Sequence, residues 1–129
     1  MKTVLMIMPV YSDRQFAQKR DIVNEICVNA GCHPLFPEYE RNNPMFDVSK
    51  ARRRLEQSDL VIADLTLERP SCYFELGFAE NQSANIIVVA DEKSDIHQLS
   101  GRERVIRFAG VDDYHRAVTL ALHSGLGVL

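Results

Sequence analysis

The sequence predicts a three-layer α/β/α protein with a five-stranded parallel sheet. Three observations predict it. Residues 3–8 (TVLMIM), 60–63 (LVIA) and 85–90 (NIIVVA) are apolar runs without alternation, as expected of strands covered on both faces. Segments with helical spacing separate the strands, and the strand–helix unit recurs along the chain, so parallel strands with helices on both sides follow. The 129 residues are enough for one domain with one central sheet and leave no room for a second.

The first strand ends at Pro9, which cannot continue a ladder, and the polar turn Tyr11-Ser12-Asp13-Arg14 follows. Across residues 15–30 the spacing Phe16, Ile22/Val23, Ile26/Cys27, Ala30 describes a helix with one buried stripe, and Gly31 suits its stop. Residues 33–36 form a short second strand at or near the sheet edge, closed by Pro37. Charges, two asparagines and Pro44 make residues 38–47 a loop that overhangs the carboxyl edge of the sheet. Asp47 or Ser49 caps the next helix, to about Gln57, with Val48, Ala51 and Leu55 inward and Arg52, Arg53 and Arg54 in solvent.

The third strand exits through Asp64-Leu65-Thr66, and Pro70 fits the first turn of a helix over residues 71–82. After the fourth strand, residues 91–100 are a polar linker. Residues 104–108 (RVIRF) are a shorter last strand, and residues 111–123 a helix with Tyr114, Val118 and Ala121/Leu122 on one face. The apolar tail, residues 125–129, packs on the core or on a second copy.

Composition excludes several classes. A formal charge of −3 with interspersed signs gives no general attraction for nucleic acid. No apolar segment approaches the ~18 residues of a membrane span, and the first strand lacks the flanks of a secretory signal. Cys27, Cys32 and Cys72 form neither a metal pair nor a disulfide framework, as expected in a reducing cytoplasm. The four histidines are dispersed without ligand spacing, so no metal is expected. Neither GxGxxG nor GxxxxGK[ST] occurs, and the first glycine is Gly31, which argues against a dinucleotide or P-loop cofactor site; no cofactor is expected.

A doubly wound sheet binds ligands beyond the carboxyl ends of its strands. Glu75 is the sharpest candidate there, in the second turn of the helix after the third strand, flanked by Tyr73, Phe74, Leu76 and Phe78. Its carboxylate could attack an anomeric carbon or stabilise positive charge on a sugar ring; a solvated or helix-pairing glutamate is the plain alternative. Asp64 could orient a sugar hydroxyl, position water, or cap its own turn. Thr66 and Ser71 could meet hydroxyl or phosphate oxygens or serve as local caps. Ser12 and Arg14 could hold a phosphate at a helix N-terminus, or be a cap and a surface arginine. Cys72 is a conceivable nucleophile near a helix start, although small-residue packing explains it as well.

The segment Ala63-Asp64-Leu65-Thr66, the spacer of residues 67–71, and Tyr73-Phe74-Glu75-Leu76-Gly77-Phe78-Ala79 resemble the nucleoside 2-deoxyribosyltransferase-like superfamily. Its members include nucleoside and nucleotide N-glycosidases, and it is distantly similar to Toll/interleukin receptor-type NAD-cleaving domains. The N-terminal strand, Met8-Pro9-Val10 and the helix after it extend the resemblance, which implies the flavodoxin-like, Rossmann-like strand order 2-1-3-4-5. It assigns Glu75 the role of nucleophile on the sugar carbon and Asp64 a place beside it. Met8, Pro9, Tyr11, Ser12, Arg14, Arg69, Ser71 and Tyr73 are the implied substrate-binding positions. The implied partner is a small-molecule nucleoside or nucleoside 5′-monophosphate, and the implied assembly a homodimer or higher homo-oligomer, since related enzymes borrow residues from a neighbouring subunit. Two positions depart from the pattern. Arg69 stands where the transferases carry an acidic residue, with Glu68 adjacent, and could pair with a substrate phosphate or with Glu75 itself, or be a surface arginine; Pro9-Val10-Tyr11-Ser12 replaces a glycine-rich first turn. Cleavage of NAD, and a non-catalytic nucleotide-sensing or protein-interaction role, therefore stay open as alternatives.

Overall fold

The computed structural model describes residues 1–38, 47–97 and 104–127. Most of the expected loop over residues 38–47 and part of the linker over residues 91–100 lie outside them. Five parallel strands, β1 (Lys2–Ile7), β2 (Cys32–Leu35), β3 (Leu60–Asp64), β4 (Ile86–Asp91) and β5 (Ile106–Phe108), form one sheet in the order β2-β1-β3-β4-β5. Among the described residues three helices connect strands, α1 (Phe16–Ala30), α2 (Val48–Gln57) and α3 (Pro70–Asn81), and α4 (Tyr114–Leu126) follows β5. The predicted architecture is the observed one.

Burial explains the strand order. Every residue of β3 is buried, and β1 is buried from Val4 onward, because both are interior strands flanked by neighbours and covered on two sides. The short strands β2 and β5 are the edges. Val4, Met6, Leu60, Ile62 and Val89 point to one core with Val23, Ile26 and Cys27 of α1 and Tyr114, Val118 and Leu122 of α4. Leu5, Ile7, Val61, Ala63 and Ala90 point to the other core, with Cys72, Leu76 and Ala79 of α3 and Leu55 of α2. Alternate residues of each strand thus feed opposite layers.

The helix boundaries have local causes. Gly31 adopts a left-handed conformation (φ 72°) and ends α1, its amide bonding back to Val28. Asp47 caps α2 by accepting the Lys50 amide at 3.0 Å. Pro70 opens α3. Gly125 lies against Leu60, where a Cβ would fall 2.5 Å from its Cδ1, so α4 and the base of β3 approach as closely as glycine permits. The start of the tail is therefore the last turn of α4, with Leu126 packed on the core.

Helix α2 faces as expected at Leu55, which packs on the core, and at Arg52 and Arg53, which are exposed. Two residues depart: Val48 is 45% exposed rather than inward, and Arg54 is half-buried rather than solvated. The Arg54 guanidinium donates to the Phe36 carbonyl at 2.5 Å and to Glu38 at 3.2 Å, so the backbone leaving β2 takes the donor that a purely apolar reading of the helix would send to solvent. Lys50 pairs with the same Glu38.

Candidate active site at the carboxyl edge of the sheet

The carboxyl ends of β1 and β3 lie side by side, with Ile7 opposite Ala63, and their exit turns form the centre of the edge where ligands bind in this topology. Met8 and Pro9 are buried as its floor. Beyond them Tyr11 is 61% exposed, and Ser12 and Arg14 are exposed. Arg69 and Ser71, at the start of α3, are exposed too.

The β3–α3 turn is held from several directions. Leu67 and Glu68 adopt positive φ (71° and 46°), a conformation that β-carbon sterics disfavour. Glu68 anchors it, accepting the Tyr73 hydroxyl at 2.9 Å and the His97 amide at 3.1 Å. The Asp91 amide donates to Thr66 Oγ1 at 3.0 Å and ties the same turn to the exit of β4. Thr66 and Tyr73 thus brace the turn, and Glu68, beside Arg69, is its keystone.

Glu75 lies on α3 beside the buried stripe Cys72, Leu76, Ala79 and is half-buried. Burial raises its pKa above the usual carboxylate value, and the Arg54 charge on the neighbouring α2 opposes that rise. Among the described residues no ion pair joins Glu75 to Arg69, the partner its sequence position suggested; Arg54 is the cation whose field it feels. Cys72 sits in the fields of both Glu75 and Asp64. Burial first, then those charges, push its thiol up to about 12, which makes it a packing residue rather than a nucleophile.

Asp64 is 0% exposed. Its Oδ1 accepts the Thr66 amide at 2.9 Å, closing its own turn, and its Oδ2 accepts the Lys19 ammonium at 2.8 Å. Lys19, 1% exposed, also donates to Asp13 at 2.7 Å and lies 5.1 Å from the ring centroids of both Phe108 and Tyr114. Burial alone would depress the lysine pKa, but the Asp64 and Asp13 carboxylates reverse the effect and leave it raised, so the ammonium is charged. The Tyr114 hydroxyl, also buried, has no acceptor in hydrogen-bonding geometry among the described residues. It stands close enough to Asp64 to feel its charge, and burial together with the two aspartates pushes its pKa well up.

Sequence reading missed Lys19 and Asp13. A signal existed: position 19 falls in phase with Phe16, Val23 and Ile26, so a lysine there is a charge on a core stripe and demands a buried counter-ion. Among the described residues, no three His, Cys, Asp or Glu side chains gather as a metal site, and no helix is long and apolar enough to cross a membrane.

The fold and edge define a doubly wound α/β protein whose third crossover helix carries a half-buried carboxylate. Two solved structures share that fold. A CMP N-glycosidase from Clostridium botulinum superposes with a TM-score of 0.65 at 16% identity, covering 92% of this chain and 99% of that one. A 2-deoxyribosyltransferase from Bacillus psychrosaccharolyticus does so with a TM-score of 0.58 at 13% identity, covering 88% and 90%. No protein-family model matches the sequence, and no curated protein matches it either.

Proposed function

We propose that the protein cleaves the N-glycosidic bond of a (deoxy)nucleoside or nucleoside 5′-monophosphate, or exchanges its base, with Glu75 as the nucleophile. The observation that carries this reading is the state of Glu75. It is a carboxylate half-withdrawn from water, with one cation on an adjacent helix opposing its protonation, on the helix that follows the central strand. Such a group is costly to keep in a core and useful in a site. The two fold relatives, one a glycosidase acting on CMP and the other a deoxyribosyl transferase, support the substrate class.

In this mechanism Glu75 attacks C1′, the C1′–N bond breaks with its electrons going to the base, and a glycosyl ester remains. Water then resolves the ester to free sugar, or a second base resolves it to a new nucleoside. Tyr11, Ser12 and Arg14 at the β1 exit, with Arg69 and Ser71 at the start of α3, offer exposed donors for sugar and phosphate oxygens. Asp64 acts from beneath, holding the turn through the Thr66 amide. A homo-oligomer in which a second copy closes the pocket belongs to the same proposal.

Incubating the protein with nucleosides, nucleoside monophosphates and NAD, and detecting released base by mass, tests it. Base release from a nucleoside or nucleotide, lost in Glu75→Gln while the fold persists, is expected; full activity in that variant refutes the assignment. A second reading, nucleotide binding without turnover, is favoured by the complete burial of Asp64, which leaves no atom of that carboxylate to touch substrate. Nucleotide binding with no product at high protein concentration selects it.

A further inference from the structure

The turns leaving β1 and β3 are built alike. In each, an aspartate accepts the backbone amide two residues ahead through Oδ1, Asp13 from Gln15 at 2.9 Å and Asp64 from Thr66 at 2.9 Å. In each, Oδ2 accepts one N–H of the same ammonium, that of Lys19, at 2.7 Å and 2.8 Å. These two strands are the pair at which the order β2-β1-β3-β4-β5 reverses, the place where a doubly wound sheet opens its crevice. One side chain therefore bridges the two walls of that crevice from below.

Stability alone does not call for this arrangement. Burying an ammonium and two carboxylates carries a desolvation cost that their mutual attraction barely recovers, and well-packed apolar side chains at all three positions would serve the core as well. What the cluster supplies is geometry. A compact tetrahedral ammonium directs separate N–H groups at two carboxylates while its stem lies in the core.

We infer that Lys19 is a positioning residue of the crevice: its ammonium clamps the β1 and β3 exit turns to one another and fixes the spacing between residues 9–14 and the turn that leads into Glu75. The functional meaning of the clamp rests on the glycosidase reading; its geometry does not.

Hydrogen exchange tests the clamp without reference to activity. In Lys19→Met the Gln15 and Thr66 amides lose protection together, by about tenfold or more beyond any change at core amides such as Val61 and Val89. If Lys19→Met does not fold, Asp13→Ala, which leaves Lys19 paired with Asp64, is read instead: the Thr66 amide, whose own acceptor is untouched, loses protection there too, and no change at that amide overturns the clamp. Arg20→Met, on the solvent side of α1, is the control and leaves both amides as they are. A merely structural lysine would speed exchange everywhere in proportion, or leave the two amides unchanged, and either result overturns the clamp. In the active protein the folded variant also loses kcat by up to about 100-fold while KM stays within about threefold, as misplacement of reacting groups does. Should the unaltered protein release no base from any substrate, the glycosidase reading falls and hydrogen exchange alone decides the clamp. Should exchange be unchanged while Glu75→Gln still abolishes activity, the clamp falls and the glycosidase reading stands.

Discussion

Replacing Arg54 by methionine separates the electrostatics of Glu75 from its placement. The guanidinium makes a charge-assisted bond to the Phe36 carbonyl, worth about 1.5–3 kcal/mol where it is half-buried. Its pair with Glu38 is exposed on the glutamate side and adds only ~0–1 kcal/mol. Methionine keeps most of the stem in place, so the expected loss of stability is about 2–3 kcal/mol, or roughly 6–15 °C in Tm for a chain of this size. The functional effect is of a different kind. Burial raises the Glu75 pKa and Arg54 is the charge opposing it, so the variant raises it further. A nucleophilic carboxylate must be ionised, and the acid limb of the rate profile therefore moves to higher pH while the plateau above it is kept. A pH–rate profile of base release, read beside a urea melt, measures both. An acid limb that stays put or moves to lower pH refutes the assignment of that limb to Glu75, and of Arg54 as its electrostatic partner.

Glu75→Gln removes a carboxylate whose pKa is raised in the folded state, the reverse of the usual acidic case. Above the folded pKa the unaltered protein bears the whole cost of the buried charge, and below the ordinary carboxylate value it bears none. The variant is therefore the more stable protein at neutral pH, and its advantage vanishes as pH falls through that window; thermal melts across the range check this. Gly125→Ala forces a methyl group against Leu60, which is 1% exposed and cannot yield outward. Overpacking of about 1–3 kcal/mol outweighs the ~1 kcal/mol gained in helix propensity, so a urea melt shows a net loss and a gain would refute the packing argument. Cys27, Cys32 and Cys72 are all buried, with the thiols of Cys27 and Cys72 pushed up to about 12. A thiol reagent accordingly labels none of them in the native protein and all three in denaturant; stoichiometric labelling of the native protein would contradict their burial.

The sheet was legible because TVLMIM and NIIVVA are short apolar runs without alternation, rich in β-branched residues and too short for buried helices. The edges were harder. The strand expected over residues 104–108 starts two residues before the ladder, which begins at Ile106, since an edge strand has only one neighbour to define its length. On α2 the periodicity places Leu55, Arg52 and Arg53 as they are found and misses Arg54, which the Phe36 carbonyl holds, a backbone acceptor with no signature in sequence. Glu75 could be singled out from its position after β3. Its cation could not, since Arg54 lies on another helix and Arg69 was the nearer choice along the chain. Lys19 lay within reach of periodicity, but its partners are six residues away at Asp13 and forty-five away at Asp64, and only the fold brings the second one near.

The Asp13–Lys19–Asp64 cluster also constrains how this sequence can change over evolutionary time. Losing Lys19 leaves two buried carboxylates without a counter-ion, at a cost of about 3–5 kcal/mol, a large part of what a domain has in reserve, whereas losing either aspartate leaves the lysine paired with the other. The three positions, scattered over two turns and a helix, therefore change in a fixed order, the lysine last. In any lineage that keeps both aspartates the lysine should be found with them.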